Sequence, residues 1–417
     1  MKKYTLADLN QILEEVDDDT LGQFGRQLRD EFELEQKGSA INRLEMFVTH
    51  RCNLRCSYCF LEGGLVHRGD MPIEVAERAL RFCIERSKNI ESFFNLVLFG
   101  GEPLLVIDLV EDILELTDRI AEEYGKGVHV SCTTNGLLLD ERAVEVSKKY
   151  GFDYLISIDG NREDHDRNRR TASGQGTYDK ILERVQFLKQ HQSWLGARMT
   201  LAPESIYHTV EAVKELFEAG INQFLIDTLY VEWQPDQLAL VKDVFYQLLE
   251  LNLSAALQGL PLVISYGEFG KLLPNRKGIW GCPAGKSSIS VTASGDVFGC
   301  SRAIRQEHLR MGNIMEGALD WDRARFFWDQ RPEIRWKCMH CDIADTCGGG
   351  CPLGDYESMG TPYYPPEICC TVSRAMREIR DENPKFAQFF YGENEVEAIE
   401  SGFHRAESEF RTLNVGD

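Results

Sequence analysis

The sequence has no long hydrophobic run. No stretch of about 18 apolar residues, the length that spans a bilayer, occurs in its 417 residues. The N-terminal segment MKKYTLADLNQILEEVDDDT carries lysines without the apolar run that a secretory signal needs. We therefore expect a cytoplasmic protein with no membrane partner.

Positive charge is also scarce. The 46 Lys and Arg residues face 67 Asp and Glu residues, which gives a formal net charge of −21. Nucleic-acid phosphates repel a protein of this sign. The composition therefore argues against nucleic acid as a partner.

Cysteine, by contrast, is plentiful. The chain has 13 cysteines, and a reducing cytosol makes disulfides a poor explanation for them. Eight of them fall between Cys282 and Cys370, where Gly, Pro and turns are too frequent for a large apolar core. A region so poor in core usually needs metal to hold its shape. Two others, Cys83 and Cys132, lie in apolar helical and strand patterns and are predicted to be buried.

Short β-rich runs alternate with helical patterns from residue 44 onward. Six strands are predicted, namely RLEMFVTH, FFNLVLFG, VHVSCTTN, DYLISIDG, GARMTL and QFLIDT. Such alternation is typical of βα units and a parallel sheet. Between them, apolar residues at helical spacing indicate helices; one such face holds Ile73, Ala76, Leu80, Cys83 and Ile84. The sequence predicts an α/β fold, a partial (β/α)6 TIM-type barrel with its site at the C-terminal ends of the strands.

The predicted organisation has five parts. They are an acidic helical segment (1–43), the barrel (44–235), a helix and bridge (236–281), a cysteine-rich domain (282–375) and a C-terminal helical tail (376–417).

The first chemical motif is a CxxxCxxC loop after the first strand. Cys52, Cys56 and Cys59 can hold three irons of a 4Fe-4S cluster and leave the fourth without a protein ligand. A zinc site completed by His50 or His67 is the alternative.

This loop, with the aromatic Tyr58 before its last cysteine, resembles the cluster loop of radical S-adenosylmethionine (SAM) enzymes. The sequence after the second strand resembles that family's GGEP motif, which implies that Gly100, Gly101 and Glu102 meet the SAM amino group. Two glycines permit close backbone approach, and a glutamate accepts from an ammonium.

Two further strand ends agree with the resemblance. TTNG and SIDG place Asn135, Ser157 and Asp159 where the family contacts ribose and methionine groups, although both segments also suit plain turns. The stretch HDRNRRTASGQGTYDK resembles HDxxR…GxGT of the peptide-modifying branch, which implies that Arg169 clamps the SAM carboxylate.

The second cysteine set resembles the SPASM domain, which holds two auxiliary 4Fe-4S clusters, so that three clusters are expected in all. The resemblance implies that Cys338, Cys341 and Cys347 share one cluster with a cysteine of the pair Cys369 and Cys370. It also implies that Cys351 joins Cys282 and Cys300 on the other. A pair of zinc ribbons is the alternative, because CxxC spacing suits both metals.

One cluster is expected to lack a fourth cysteine. Sulfatase maturases of the family have a cysteine where this chain has Ser288. Neighbouring side chains in an extended segment point apart, so Cys369 and Cys370 are not expected to serve one cluster together, and Cys370 is the preferred ligand. An open iron at Cys282, Cys300 and Cys351 could bind a substrate thiol.

The resemblance implies a peptide maturase that cleaves SAM to a 5′-deoxyadenosyl radical and crosslinks a ribosomally made precursor peptide. An electron donor such as flavodoxin or ferredoxin, and a separate leader-binding protein, are the expected partners. An anaerobic sulfatase maturase is disfavoured, because Ser301 stands where that group has an aspartate base. A dehydrogenase of a small alcohol and a non-catalytic iron-sulfur carrier remain alternatives.

Overall fold

The computed structural model describes residues 41–63, 69–87, 93–266, 282, 284–330 and 332–386. These residues contain one ten-stranded sheet with helices packed against it. Its strands are β1 (Arg43–Thr49), β2 (Phe94–Gly100), β3 (Val128–Thr134), β4 (Tyr154–Ser157), β5 (Gly196–Leu201), β6 (Gln223–Thr228), β7 (Val263–Tyr266), β8 (Ser288–Val291), β9 (Asp296–Phe298) and β10 (Gly312–Asn313). Their order across the sheet is β10-β9-β8-β1-β2-β3-β4-β5-β6-β7.

Strands β1 to β7 run parallel, which requires crossover connections between them. The helices of these connections are α1 (Ile73–Ser87), α2 (Ile107–Tyr124), α3 (Glu141–Tyr150), α4 (Arg162–Asn168), α5 (Tyr178–Leu188), α6 (Thr209–Glu218) and α7 (Pro235–Leu257). Parallel strands end at one edge of the sheet, so the motifs that follow β1 to β4 lie along that edge.

Helix α1 forms because its apolar residues recur at helical spacing and pack on the core. Ala76, Leu80, Cys83 and Ile84 are fully buried, as predicted. Ile73 was predicted on the same face but is 38% exposed, because it begins the helix and has no preceding turn beside it.

All six predicted strands are present, and the structure adds a seventh parallel strand, β7, inside the segment predicted to be a bridge. Asn252 of α7 fixes it, since its Nδ2 donates to the Ile264 carbonyl at 3.1 Å. The apolar run of β7 is only four residues long, and periodicity cannot identify a strand this short.

The cysteine-rich segment extends the same sheet on its other side. Strand β8 pairs parallel to β1, while β9 and β10 continue with antiparallel pairing. The described residues after β10 form four α-helices: α8 (Arg325–Trp328), α9 (Ala344–Cys347), α10 (Pro352–Met359) and α11 (Glu367–Glu382). Helix α11 is held to α7 by Lys242, whose Nζ lies 2.9 Å from Glu378 and 2.8 Å from Glu382.

Some of the remaining sequence predictions concern described residues, and others concern residues outside them. Cys83 and Cys132 are fully buried, which confirms the prediction for them. The predicted helical segment 1–43 lies outside the described residues up to residue 40, and the predicted tail 376–417 is described only to residue 386. Among the helices that the structure describes, none is both long and apolar enough to cross a bilayer.

Candidate active site

The loop after β1 is fixed by close backbone contact with the end of β2. Gly101 N donates to the Thr49 carbonyl at 2.8 Å, and Glu102 N donates to the Arg51 carbonyl at 2.9 Å. A Cβ on Gly100 would lie 2.2 Å from the Thr49 oxygen, and one on Gly101 would lie 2.2 Å from the Arg51 oxygen. The close approach that these glycines permit is therefore to the chain's own cysteine loop.

A second strip of chain holds the other side of the loop. Arg55 N donates to the Arg170 carbonyl at 2.7 Å, and Ser57 N donates to the Asn168 carbonyl at 2.9 Å. The Ser57 hydroxyl also donates to Asn168 Oδ1 at 2.6 Å. The CxxxCxxC loop is thus held between the end of β2 on one side and the end of α4 with the residues after it on the other.

The three thiols of the loop lie close enough to act on one another electrostatically. The pKa of Cys52 is raised to about 12, mainly by burial and in smaller part by the charges of Cys56 and Cys59. Burial likewise raises the pKa of Cys56 to about 11, although the Arg169 guanidinium opposes the shift. Left alone, the thiols of Cys52 and Cys56 stay protonated, whereas a bound metal displaces their protons.

Glu102 is fully buried and braces the ends of β2 and β3. Its Oε1 accepts from the Thr134 hydroxyl at 2.7 Å and from Leu104 N at 3.1 Å, and its Oε2 accepts from Asn135 N at 2.7 Å. Burial raises its pKa to about 6. A carboxylate has about four acceptor positions, so three protein donors leave about one for a ligand ammonium.

Replacing Glu102 by alanine is expected to lower the free energy of unfolding by about 2–5 kcal/mol, because buried donors lose their acceptor and a cavity forms. Denaturant unfolding of the variant measures this loss. Glu115→Ala, on the exposed face of α2, is the matched control and should cost less than about 0.5 kcal/mol. Unchanged stability with lost SAM binding would show that Glu102 serves only the ligand.

Asn135 supports the loop as well. Its Nδ2 donates to Asn53 Oδ1 at 2.7 Å, next to Cys52, and its Oδ1 accepts from Leu137 N at 3.1 Å. The side chain predicted to contact SAM therefore also positions the first cysteine. Ser157 is buried at the end of β4, and its hydroxyl makes no hydrogen bond within the described residues.

Asp159 and Arg169 form a buried two-point ion pair. Arg169 Nε lies 2.8 Å from Asp159 Oδ2, and Arg169 Nη2 lies 3.2 Å from Oδ1. The Tyr58 hydroxyl also donates to Asp159, and Thr200 N donates to its Oδ1 at 2.8 Å. The Arg169 guanidinium lies 5.4 Å from the Tyr58 ring and holds the pKa of Asp159 below its usual value despite burial. Arg169 has five N–H donors, and this pair uses two of them.

The sequence analysis missed the residues that hold this pair. Asp159 N donates to His165 Nδ1 at 3.2 Å, His165 Nε2 lies 3.0 Å from Thr177 Oγ1, and the Thr177 hydroxyl donates to the Arg169 carbonyl at 3.1 Å. Burial lowers the pKa of His165 to about 4, so the ring is neutral and accepts at Nδ1. Asp166 Oδ1 accepts from Thr177 N at 2.7 Å. The signal was present in the HDxxR…GxGT stretch, from which only the arginine was assigned.

Arg169→Lys is expected to weaken SAM binding about tenfold or more, because lysine keeps the charge but loses the planar fork. Equilibrium binding of SAM to the reconstituted protein measures the effect. Arg170→Lys, at the exposed neighbouring position, should leave the affinity unchanged. Equal affinities in both variants would remove Arg169 from the SAM site.

A second group of thiols assembles from three distant segments. Cys282, Cys300 and Cys351 act on one another electrostatically, and burial raises the pKa of Cys282 to about 11. They border an apolar cluster that also contacts Cys59 and Phe60 of the first loop. The second group therefore lies on the side of the cysteine-rich segment that faces the CxxxCxxC loop.

The third group contains the CxxC pair. Cys338 is buried, and burial raises its pKa to about 11, with further contributions from Cys370, Cys347 and Cys341. These four residues are the set that the SPASM resemblance assigns to one cluster, with Cys370 as the preferred member of the adjacent pair.

The side chains of Cys369 and Cys370 point in different directions because they are consecutive residues of a helix, not because the segment is extended. The segment is helical and belongs to α11, so the prediction of an extended segment is wrong. Consecutive helical residues point about 100° apart. Cys369 Sγ lies 3.8 Å from Asp355 Oδ1 beside Gly350, whereas Cys370 lies among the third group.

The donor geometry of the thiols suits iron-sulfur ligation. Four cysteines accept a backbone N–H two or three residues further along the chain, a contact that stabilises a thiolate bound to a cluster. These contacts are Leu54 to Cys52 and Gly354 to Cys351, both at 3.4 Å, Ala284 to Cys282 and Arg302 to Cys300. Across the described ranges, no three metal-binding side chains converge on one ion. A cubane takes one cysteine at each iron and needs no such convergence.

Comparison with known proteins identifies the domain that holds this site. The profile of the radical SAM superfamily matches residues 46–217, which hold the cysteine loop, GGEP and the Asp159–Arg169 pair. The chain contains a radical SAM domain over these residues. Its fold resembles anSMEcpe with bound AdoMet, with a TM-score of 0.68 and 20% identity over 83% of this chain and 99% of that one. It also resembles Streptococcus suis SuiB bound to its precursor peptide SuiA, with a TM-score of 0.59 and 16% identity over 85% and 82% of the two chains.

Two curated relatives have names that describe different maturation reactions. The serine-type anaerobic sulfatase-maturating enzyme of Klebsiella aerogenes is 24% identical over 72% of this chain and 77% of its own length. The subtilosin biosynthesis protein AlbA of Bacillus subtilis (strain 168) is 23% identical over 77% and 69% of the two chains. The chain is therefore similar to maturases, and the SPASM-type branch fits its fold.

Proposed function

We propose that this radical SAM enzyme is a peptide maturase that installs a crosslink, most readily a thioether, in a ribosomally made precursor peptide. In this proposal Cys52, Cys56 and Cys59 hold the catalytic cluster. The Asp159–Arg169 pair, Ser157 and Glu102 hold SAM. When bound, the cluster supplies the electron that splits SAM into methionine and a 5′-deoxyadenosyl radical.

The observation that carries the proposal is the grouping of the remaining thiols. Cys282, Cys300 and Cys351 lie close enough to act on one another electrostatically, and Cys341, Cys347 and Cys370 likewise act on Cys338. Two groups of three and four cysteines suit two auxiliary clusters, for a total of three with the catalytic one. The CxxxCxxC loop and the group of Cys282, Cys300 and Cys351 border the same apolar cluster. This shared border supports a substrate that reaches both sites.

The neighbourhood of Cys300 favours a crosslink over sulfatase maturation. Ser301 and Arg302 follow Cys300, so this position offers a hydroxyl and a cation rather than a carboxylate base. A thiol and a C–H group joined as a thioether lose two hydrogens. The overall balance is SAM + R–H + R′–SH giving methionine, 5′-deoxyadenosine, R–S–R′ and H⁺, and the electron consumed in cleavage is returned.

The chain's own residues would orient the reactants and keep water away. The buried Asp159–Arg169 pair presents its remaining guanidinium N–H groups to a carboxylate in a fixed direction. The proposed partners are the precursor peptide, a flavodoxin or ferredoxin as electron donor, and a separate leader-binding protein.

The test uses the reconstituted enzyme, dithionite and the peptide encoded next to its gene. We expect 5′-deoxyadenosine and a peptide that has lost two hydrogens and one free thiol, both measured by mass spectrometry. Conversion of a sulfatase peptide to formylglycine, with no crosslink in any peptide, would identify a sulfatase maturase instead. Absence of 5′-deoxyadenosine would favour a non-catalytic carrier.

A further inference from the structure

Arg302 occupies a fixed position beside the second thiol group. It lies in the 3-10 helix Ser301–Arg305, which begins directly after Cys300. Its backbone N–H donates to the Cys300 thiol, and the charges of Cys351 and Cys300 both act on its guanidinium. The side chain is 34% exposed, so solvent only partly screens its charge.

Two contacts hold the guanidinium in place. Arg302 Nη2 pairs with Glu357 on α10, the helix whose first turn is capped by Cys351. The guanidinium also lies 5.5 Å from the ring of Tyr230, which packs against Gly354 of the same helix. The arginine is therefore held by the helix that supplies one of the group's own cysteines.

A carboxylate acts on the same thiols. Glu45 of β1 acts on Cys282 and Cys300, and its Oε2 accepts from the Ser290 hydroxyl at 2.9 Å. A cluster at this group would therefore experience fixed charges of both signs.

We propose that Arg302 is a positioning residue that raises the reduction potential of a cluster held by Cys282, Cys300 and Cys351, with Glu45 acting in the opposite direction. This inference rests on the proposed auxiliary clusters. Reduction adds a negative charge to a cluster, so a nearby cation favours the reduced state and a nearby anion disfavours it. The cluster beside Arg302 would thereby accept an electron more readily.

The experiment is a potentiometric titration of the reconstituted full-length enzyme followed by electron paramagnetic resonance. The catalytic signal is recognised because it changes when SAM is added. We expect Arg302→Gln to lower the midpoint potential of one other signal, Arg302→Lys to restore most of it, and Glu45→Gln to raise it.

Two control variants separate this effect from general damage. Arg305→Gln removes an arginine of the same short helix that pairs with Glu62, and it should move no potential. Lys337→Gln removes a cation beside Cys370, so it should lower the potential of the third group's cluster and leave the second unchanged.

The outcomes are distinct. Equal potentials in wild type and Arg302→Gln, or equal losses in Arg302→Gln and Arg302→Lys, would overturn the inference and leave Arg302 as a structural link between Cys300 and α10. Fewer than two signals that are indifferent to SAM in the wild type would instead contradict the proposed pair of auxiliary clusters.

Discussion

Simultaneous replacement of Cys52, Cys56 and Cys59 by alanine is expected to abolish SAM cleavage and to leave about eight iron atoms per chain, as two cubane clusters require. The three thiols share one loop, and the other two thiol groups are built from segments after residue 281. Iron analysis and 5′-deoxyadenosine release measure the two effects.

Cys83→Ala is the matched control for this prediction. Cys83 is fully buried on α1 and belongs to none of the three groups, so this variant should keep about twelve iron atoms and full SAM cleavage. Loss of all iron from the triple variant would contradict the separation of the loop from the other clusters. Retention of SAM cleavage would contradict the assignment of the loop itself.

Strands β1 to β6 could be predicted because each is rich in apolar and β-branched residues and is followed by a turn or helix. The same reasoning could not find β7, whose four residues form a strand only because β6 and Asn252 hold them. Nor could it find the pairing of β8 with β1, since residues so distant in sequence share no local pattern.

The sequence likewise predicted some features of the candidate site and not others. Spacing alone placed the three cysteines on one loop. It gave no sign that Glu102 and Asn135 would form most of their hydrogen bonds with the protein itself. Arg169 was expected to meet a ligand carboxylate, and the structure gives it a permanent partner in Asp159. A buried arginine needs such a counter-charge before any ligand arrives.

The preference for Cys370 over Cys369 as a ligand rested on a wrong premise about the backbone. The expectation of an extended segment ignored the helical spacing of Ile368, Val372, Ala375 and Ile379, all buried on α11. The helix turns Cys369 toward Asp355 and leaves Cys370 beside Cys347.

The second prediction with a large effect concerns the substrate. If the cluster at Cys282, Cys300 and Cys351 keeps one iron free of protein cysteine, a substrate thiol can bind there, because iron lowers the pKa of a coordinating thiol. Ser288, where the sulfatase maturases have a further cysteine, begins β8, and its carbonyl accepts from Gly285 N at 2.7 Å.

A cysteine-containing substrate peptide is therefore expected to change the spectrum of one auxiliary cluster in the Cys52, Cys56 and Cys59 triple alanine variant, where no turnover can occur. The same peptide with serine in place of that cysteine should cause no change and should yield no crosslink with the wild-type enzyme. An experimental structure with four protein cysteines on this cluster, or a natural substrate without cysteine, would refute thiol binding and leave the radical SAM assignment intact. The serine peptide decides between the two roles of the cluster, because a cluster that only relays electrons would not distinguish sulfur from oxygen in the substrate.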